Sequence, residues 1–310
     1  MTTARRGRDP QSAQWLLLGA DGFTKLSYAM AGKLYLVALP IGNLEDITIR
    51  AIRTLRSVDG ILAEDTRVTR RVLARYRIET SFFSSVFQGS EHQRTAWLVE
   101  RLQSGMSLAL VSDAGTPLVS DPGYPLVRAA IAAGIPVIPI PGPSAALAGL
   151  VASGLPPDRF CFEGAVPRKS SERRTLFERL RSEPRTIVLF ESPHRLIATL
   201  RDLAAVLPGR AVAMARELTK QHEEFLRGTP EELLQALAAR GQVQGECVLV
   251  LAGNPIEPGL DPRRIDETLR TLRAAGVEGR LAVSVLVTAL GLPRNEAYAL
   301  VHGKETTSRD

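Results

Sequence analysis

The chain has 310 residues, 45% of them hydrophobic, which is enough for two ordinary domains with a core in each. Lysine and arginine number 39 against 33 aspartate and glutamate residues, and this excess suits a polyanionic partner such as nucleic acid, although many globular proteins carry a similar one. Only two cysteines occur, Cys161 and Cys247, each in an apolar run, which argues against a disulfide scaffold and favours reduced thiols in a cytoplasmic protein.

Residues 1–32 differ in composition from the rest of the chain. The segment ARRGRDPQSAQ is basic and polar, and WLLLGA is an apolar patch too short for an export signal or a membrane span. We therefore predict a flexible basic extension, with Met30 as a candidate functional start. No other segment is apolar for long enough to cross a bilayer.

From Lys33 onward, apolar runs typical of buried strands alternate with helical periodicity. In the first half the predicted strands are Lys33–Leu39, Gly60–Ala63, one that begins at Leu108, and Ile135–Ile140. The predicted helices there are Ile47–Val58, Val68–Tyr76, Glu91–Leu102, Tyr124–Ala133 and Ala145–Ser153.

The same alternation resumes in the second half of the chain. Strands are predicted at Phe160–Glu163, Arg185–Phe190, Ala211–Ala215 and Glu246–Leu251, and helices at Glu172–Leu180, Leu196–Val206 and Pro230–Ala239. This order predicts two α/β domains, residues 33–147 and 148–255, each with a mostly parallel sheet covered on both faces. A linker and a small helical appendage, with helices within Ile265–Leu300, are predicted over residues 256–310.

Four predicted strands end in loops of small, polar or charged residues: Leu39–Asn43, Ser112–Pro117, Pro141–Ala145 and Glu191–Arg195. Each alone is typical of a turn, but in an open α/β sheet such ends meet at the edge where ligands bind. The phosphate-binding patterns GxxxxGK[ST] and GxGxxG are absent. Asp113 would repel phosphate but suits a ligand with a positive centre, such as the sulfonium of S-adenosylmethionine; its alternative role is an N-cap or Asx turn.

Charged clusters supply further candidates. Glu64, Asp65 and Arg67 follow a predicted strand, where an acid could act as a general base or merely cap a helix and form an ion pair. The run Arg216–Lys220, with Glu223 and Glu224 placed on the following turn, is similarly ambiguous. The four histidines lack metal-ligand spacing, so no metal site is predicted. Two basic clusters could neutralise phosphates or form solvated faces: Arg67, Arg70, Arg71, Arg75 and Arg77; and Arg168, Lys169, Arg173 and Arg174.

Several long, ordered motifs resemble one known family. LYLVALPIGNLEDITIRAIRTL, AEDTR, LVSDAGTPLVSDPGYPLV, PIPGPSAA, ASGLPPDRFCFEGAVPRK, FESPHRL and ARELTKQHEE are similar to the ribosomal RNA small-subunit methyltransferase I family, in the tetrapyrrole-methylase superfamily. The similarity runs from about Lys33 to His302.

This resemblance implies two α/β domains of tetrapyrrole-methylase type with an S-adenosylmethionine cleft between them, usually in a homodimer. It implies 2′-O-methylation of a cytidine in the decoding region of small-subunit (16S) ribosomal RNA. Glu64, Asp65 and Arg67 would face the acceptor as catalytic residues. The residues carried over as cofactor-binding are Pro40, Gly42, Asn43, Ser112, Asp113, Ala114, Gly115, Thr116, Pro117, Pro141, Gly142, Ser144, Ala145, Phe190, Glu191, Met214 and Ala215.

One segment departs from the family. Members commonly carry H-x-H-N-E after the third strand, whereas this chain has Phe87-Gln88-Gly89-Ser90-Glu91 and keeps only the glutamate. Two alternatives stay open beside ribosomal RNA methylation. One is methylation of a tetrapyrrole ring carbon, as in other members of the superfamily. The other, to which the missing histidines point, is an RNA- or ribosome-binding protein that has lost catalysis.

Overall fold

The computed structural model describes residues 32–85, 91–238, 245–254 and 262–302. The predicted extension, apart from Gly32, and the Phe87–Ser90 segment lie outside the described residues. The strands are β1 (Leu34–Val37), β2 (Gly60–Ala63), β3 (Phe82–Ser85), β4 (Leu108–Val111), β5 (Val137–Ile140), β6 (Phe160–Ala165), β7 (Thr186–Glu191), β8 (Val212–Arg216), β9 (Glu224–Gly228) and β10 (Cys247–Leu251). The helices are α1 (Ile49–Ser57), α2 (Thr66–Arg75), α3 (Glu91–Gln103), α4 (Tyr124–Ala132), α5 (Ala145–Val151), α6 (Ser170–Arg179), α7 (Leu196–Val206), α8 (Pro230–Ala238), α9 (Pro262–Ala274), α10 (Gly279–Leu290) and α11 (Arg294–His302).

The first sheet has the order β3-β2-β4-β1-β5, and all four neighbouring pairs are parallel. Every residue of β2 and β4 is buried, as expected for central strands of a sheet covered on both faces. One core contains residues of α1 and α2, and the other contains residues of α3 and α4. Because the pairs are parallel, the carboxyl ends of β1, β2, β4 and β5 lie at one edge.

The second sheet has the order β6-β7-β10-β8-β9. Strands β6 and β7 are parallel, with Phe160 opposite Thr186 and a register shift between Phe162 and Ala165. Strand β3 has no predicted bounds to compare with, and the prediction of a turn at Glu224 is wrong. Glu224 begins the edge strand β9, where its carboxylate pairs with Arg216 of β8 at 3.1 Å, so a charged residue is accommodated in a strand.

The described chain divides into two compact units. One comprises the described residues up to Ala152 together with Ala215–Phe225 and Gly245–Val248, and the remainder forms the other. The segment after β8 therefore belongs with the first unit, although the chain reaches it late. The boundaries at residues 147/148 and 255/256 remain predictions.

Helices α9, α10 and α11 share a small hydrophobic cluster of their own, which includes Leu269, Leu286 and Ala297. They form the helices that the sequence predicted as an appendage. Within the described ranges, no helix combines the length and the apolar character needed to cross a membrane.

Candidate functional site

The ends of β1 and β4 are joined by a short main-chain bridge. The N–H of Leu39 donates to the Gly115 carbonyl at 2.9 Å, and the Gly115 N–H donates back to the Leu39 carbonyl at 2.9 Å. Gly115 has φ +74°, and a Cβ there would lie 3.3 Å from Cγ2 of Ile41. The left-handed backbone therefore favours glycine, and a side chain there would also be tightly packed against Ile41.

The loop after β5 joins the same edge. The Thr116 hydroxyl donates to the Pro143 carbonyl at 3.1 Å, and a Cβ on Gly142 would lie 2.9 Å from the Ala38 Cβ. The Ser144 hydroxyl accepts from the Leu147 N–H at 3.4 Å and caps α5. Three of the four loops singled out in the sequence are therefore in direct contact in the first unit.

Asp113 connects this edge to the end of β2. Its carboxylate accepts from the Asp65 N–H at 2.9 Å. Its own backbone N–H donates to the Glu64 carboxylate. These bonds join two strand ends, so Asp113 does more than stabilise its own loop. Ser112 is buried, and its hydroxyl donates to the Ala114 carbonyl at 3.1 Å.

The negative charges of three carboxylates interact at this junction. The pKa of Glu64 is raised above its ordinary value of 4.5, first by partial burial and then by the negative charges of Asp113 and Asp121. The pKa of Asp121 is also raised, mainly by burial and further by Asp113, against a lowering hydrogen bond from Ser112. Carboxylates that interact in this way attract a cation, and the raised pKa makes Glu64 a better proton acceptor than an ordinary carboxylate.

The pKa of Asp65 is shifted in the opposite direction. Arg67 donates to its carboxylate from Nε at 3.1 Å and from Nη2 at 2.6 Å, and the Arg67 N–H donates at 2.8 Å as Asp65 caps α2. These hydrogen bonds hold the pKa of Asp65 at about 2. The capping and ion-pair interpretation of this cluster is confirmed for Asp65, while Glu64 lies among carboxylates.

The segment Arg216–Lys220 also contacts the site. The Asn43 N–H donates to the Thr219 hydroxyl at 2.9 Å, and a Cβ on Gly42 would lie 2.8 Å from the Leu218 carbonyl oxygen. Thr219 has φ +65°, which is strained for a β-branched residue. The sequence singled out the run that contains Thr219 but did not predict its contact with Asn43, 176 positions away. Asp121 was missed, because an interaction between acids of different loops leaves no local signal in the sequence.

The fourth singled-out loop belongs to the second unit. The Glu191 carboxylate is buried; it accepts from the Ser192 N–H at 2.6 Å and from the Thr199 hydroxyl, and it pairs with Arg195 Nη2 at 2.6 Å. This side chain is thus engaged within its own unit. The other residues predicted for the cofactor in this unit are Phe190, whose ring packs edge-on against Phe162 at 4.9 Å, and the buried Met214. Ala215, which is also buried, belongs to the first unit.

The second basic cluster is not wholly a solvated face. Arg173 is only 4% exposed, and its guanidinium pairs with the buried carboxylate of Asp202 and donates to the Arg168 carbonyl at 3.1 Å. The prediction is wrong for Arg173, whereas Arg168, Lys169 and Arg174 are exposed. Across the described residues, no group of three or more His, Cys, Asp or Glu side chains is arranged to hold a metal ion.

Comparison with known proteins places this fold in a known class of proteins. A family model described as Tetrapyrrole (Corrin/Porphyrin) Methylases matches residues 33–234. The crystal structure of a uroporphyrin-III C-methyltransferase from Thermus thermophilus complexed with S-adenyl homocysteine has a TM-score of 0.50 and 21% identity, covering 71% of this chain and 97% of that one. At that identity the likeness concerns the fold alone.

Closer relatives narrow the class. The ribosomal RNA small subunit methyltransferase I of Micromonospora olivasterospora is 45% identical over 283 residues, which is 91% of this chain and 90% of that protein. The protein of the same name from a Synechocystis species is 47% identical over 272 residues, 87% and 97% of the two chains. The chain belongs to the ribosomal RNA small subunit methyltransferase I family within the tetrapyrrole methylases.

Proposed function

We propose that this protein is an S-adenosylmethionine-dependent methyltransferase that methylates the ribose 2′-hydroxyl of a cytidine in the decoding region of small-subunit (16S) ribosomal RNA. The observation that carries the proposal is the junction of the β1, β4 and β5 ends with the Glu64, Asp113 and Asp121 carboxylates. At this junction, closely packed strand ends suited to hold a ligand lie beside Glu64, which is suited to accept a proton. The near full-length likeness to small-subunit ribosomal RNA methyltransferases supports this RNA as the acceptor.

The residues at the edge fit S-adenosylmethionine. The main chain approaches neighbouring residues closely at Gly42 and Gly142, where a Cβ would clash, and Gly115 has a left-handed backbone. The nearby carboxylates suit a sulfonium and an ammonium group. When bound, this cofactor supplies an electrophilic methyl group. The residues proposed to hold it in the first unit are Pro40, Gly42, Asn43, Ser112, Asp113, Ala114, Gly115, Thr116, Pro117, Pro141, Gly142, Ser144, Ala145 and Ala215. Phe190, Glu191 and Met214 of the second unit are proposed on the family resemblance, with Glu191 acting through its main chain or as a positioning residue.

Glu64 is proposed as the general base. A ribose hydroxyl is a poor nucleophile at neutral pH, so its proton must leave during or after methyl transfer. The raised pKa of Glu64 makes its carboxylate a better proton acceptor than Asp65, whose charge is neutralised by Arg67. Asp65 and Arg67 are proposed to position the acceptor strand, since the Arg67 guanidinium remains exposed while it pairs with Asp65.

A homodimer in the cytoplasm is also proposed. The resemblance supports a dimer, and α5 exposes two large apolar side chains, with Leu147 49% and Val151 72% exposed. The proposed substrate is the RNA of small ribosomal subunits, and this substrate supports the cytoplasm as the compartment. Phe87–Ser90 replaces the family's histidine-rich pattern, so loss of catalysis stays an alternative. Measurements of donor binding and of turnover would distinguish it from the proposed function.

The decisive experiment uses labelled S-adenosylmethionine and small ribosomal subunits that lack the modification. We expect one methyl group per subunit, on the 2′-oxygen of a cytidine in the decoding region. Label on a base carbon or nitrogen would overturn the ribose assignment. Donor binding without any transfer would favour the RNA-binding alternative, and transfer to a porphyrinoid alone would favour the tetrapyrrole alternative.

A further inference from the structure

One side of the first unit carries a dense layer of positive charge. Helices α1 and α2 contribute to the same hydrophobic core under the sheet, and the Arg56 guanidinium of α1 donates to the Tyr76 carbonyl at the end of α2 at 2.6 Å. The two helices contain no Asp or Glu. Their seven arginines, all exposed, are here called the arginine face: Arg50, Arg53, Arg56, Arg67, Arg70, Arg71 and Arg75.

The opposite side of the same sheet does not share this charge. Helices α3 and α4, which cover it, contain three arginines and two glutamates between them. The asymmetry is therefore local to one side and is not a consequence of the chain's overall excess of basic residues.

The arginine face opposes the stability of its own helices. Arg67 and Arg71, and Arg71 and Arg75, are like charges four residues apart, a spacing that destabilises an isolated helix. Arg67 also lies in the first turn of α2, near the positive end of its dipole. Only Arg67 is neutralised by a carboxylate in the described contacts, that of Asp65; the Arg70 and Arg75 guanidiniums lie over the rings of Phe82 and Tyr76 at 5.6 and 5.9 Å.

The geometry of α2 suits an extended polyanion. Residues four apart on a helix are separated by about 6 Å along its axis, so Arg67, Arg71 and Arg75 form a regular row. The row begins directly after Asp65, at the end of β2 where Glu64 lies. A strand that followed the row would be led to the proposed general base.

We propose that the arginine face binds the phosphate backbone of the RNA substrate and guides the acceptor strand to the Glu64 edge. This inference rests on the proposed function, from which it takes RNA as the substrate. Phosphate contacts position a nucleic acid without reading its sequence, so the face contributes affinity and register, and selection of the cytidine belongs to the site itself.

The test uses Arg53→Gln/Arg71→Gln, one exposed arginine from each helix whose side chain has no partner among the described contacts. Binding of a decoding-region RNA oligonucleotide is measured against salt concentration. Losing two phosphate contacts should weaken binding about tenfold and make the salt slope about 1.4 less steep, with the KM for RNA rising and kcat retained. Arg53→Lys/Arg71→Lys should keep most of the slope, because the charge remains.

The matched control, Arg128→Gln/Arg201→Gln, removes the same charge from exposed positions on α4 and α7. If the arginine-face variant binds and methylates RNA as the control does, the inference is overturned while the proposed function stands. Failure of the unmodified protein to bind or methylate RNA overturns the proposed function instead. Loss of binding to phosphatidylglycerol vesicles with RNA affinity unchanged would assign the face to an anionic membrane and also overturn the inference.

Discussion

Glu64 and Asp65 are consecutive residues whose carboxyl pKa values are shifted in opposite directions. Burial and the charges of Asp113 and Asp121 raise the pKa of Glu64, whereas the hydrogen bonds from Arg67 hold that of Asp65 at about 2. Both residues follow β2, which ends at Ala63. The Glu64 carboxylate interacts with the charges of Asp113 and Asp121, whereas the next side chain, Asp65, caps α2. Glu64 is thus suited to accept the proton, and Asp65 to position the acceptor strand.

The pH dependence of methyl transfer follows from this difference. Glu64 must be ionised to accept a proton, so kcat should fall as the pH drops through a pKa above the ordinary 4.5. Asp65 stays ionised to about pH 2 and should not contribute to this decline. Single-turnover rates across acidic pH measure it; a decline that persists unchanged in Glu64→Gln would assign the titration to another group.

Gly42→Ala should disrupt the cofactor edge. A Cβ there would lie 2.8 Å from the Leu218 carbonyl oxygen and 2.8 Å from the Thr219 hydroxyl, so the Asn43–Thr219 hydrogen bond cannot persist unchanged. We expect the Kd for S-adenosylmethionine, measured by calorimetry, to rise about tenfold, equivalent to about 1.4 kcal/mol.

Gly209→Ala is the control for that variant. Gly209 has φ +69° and open space around it, so alanine there costs about 1 kcal/mol of backbone strain without a clash. This variant should unfold at lower urea concentration but bind S-adenosylmethionine normally. Equal losses of affinity in both variants would mean that Gly42 acts only through general stability.

The buried Arg173–Asp202 pair should dominate the stability of its region. Arg173→Met leaves the Asp202 carboxylate without its buried partner and should lower the free energy of unfolding by about 3–5 kcal/mol. Arg173→Met/Asp202→Leu removes both charges and should recover most of that loss. Urea denaturation measures both, and a double variant as unstable as the single one would show that packing, not the loss of Arg173 as the buried partner of Asp202, is responsible.

The same pair predicts acid sensitivity. Desolvation raises the pKa of Asp202, but hydrogen bonds from Arg174, Ser170 and Arg173 outweigh it, so the net pKa is lowered. A carboxyl group with a depressed folded-state pKa stabilises the protein above its unfolded pKa and loses that contribution as the pH falls through the folded value. Urea midpoints should therefore fall less on acidification in the double variant than in the unmodified protein.

The exposed apolar side of α5 predicts a change in assembly. Leu147→Asp/Val151→Asp should convert the proposed dimer to a monomer without lowering the melting temperature of the protomer, because both side chains are exposed in the single chain. Light scattering after size-exclusion chromatography measures the mass. Leu281→Asp, at a residue 62% exposed on α10, is the control and should leave the mass unchanged.

Much of the fold could be predicted from the sequence because the buried strands are short, fully apolar runs. Gly60–Ala63 and Leu196–Val206 have the predicted bounds, and the glycine and proline loops mark the ligand edge. Strand β9 could not be found because the charge of Glu224, which indicates a solvated turn, is satisfied by Arg216 of the neighbouring strand β8.

The site was predictable in its loops but not in its internal connections. Asp113 was recognised as a residue suited to a cationic ligand, yet its bond to the Asp65 N–H joins residues 48 positions apart. The different roles of Glu64 and Asp65 depend on which way each side chain leaves the strand end. Arg173 shows the same limit, because a run of basic residues does not reveal which one finds a buried carboxylate.

The most direct test of the account is the single-turnover rate of methyl transfer to unmodified small ribosomal subunits, at saturating S-adenosylmethionine, by the unmodified protein, Glu64→Gln and Asp65→Asn. Removing a general base typically costs 10²–10⁴-fold, so we expect about a hundredfold loss or more for Glu64→Gln, with donor affinity retained and the methyl group on a cytidine 2′-oxygen. Asp65→Asn should be impaired chiefly in the KM for RNA. Full activity of Glu64→Gln, or methyl transfer to a base atom, would contradict the account.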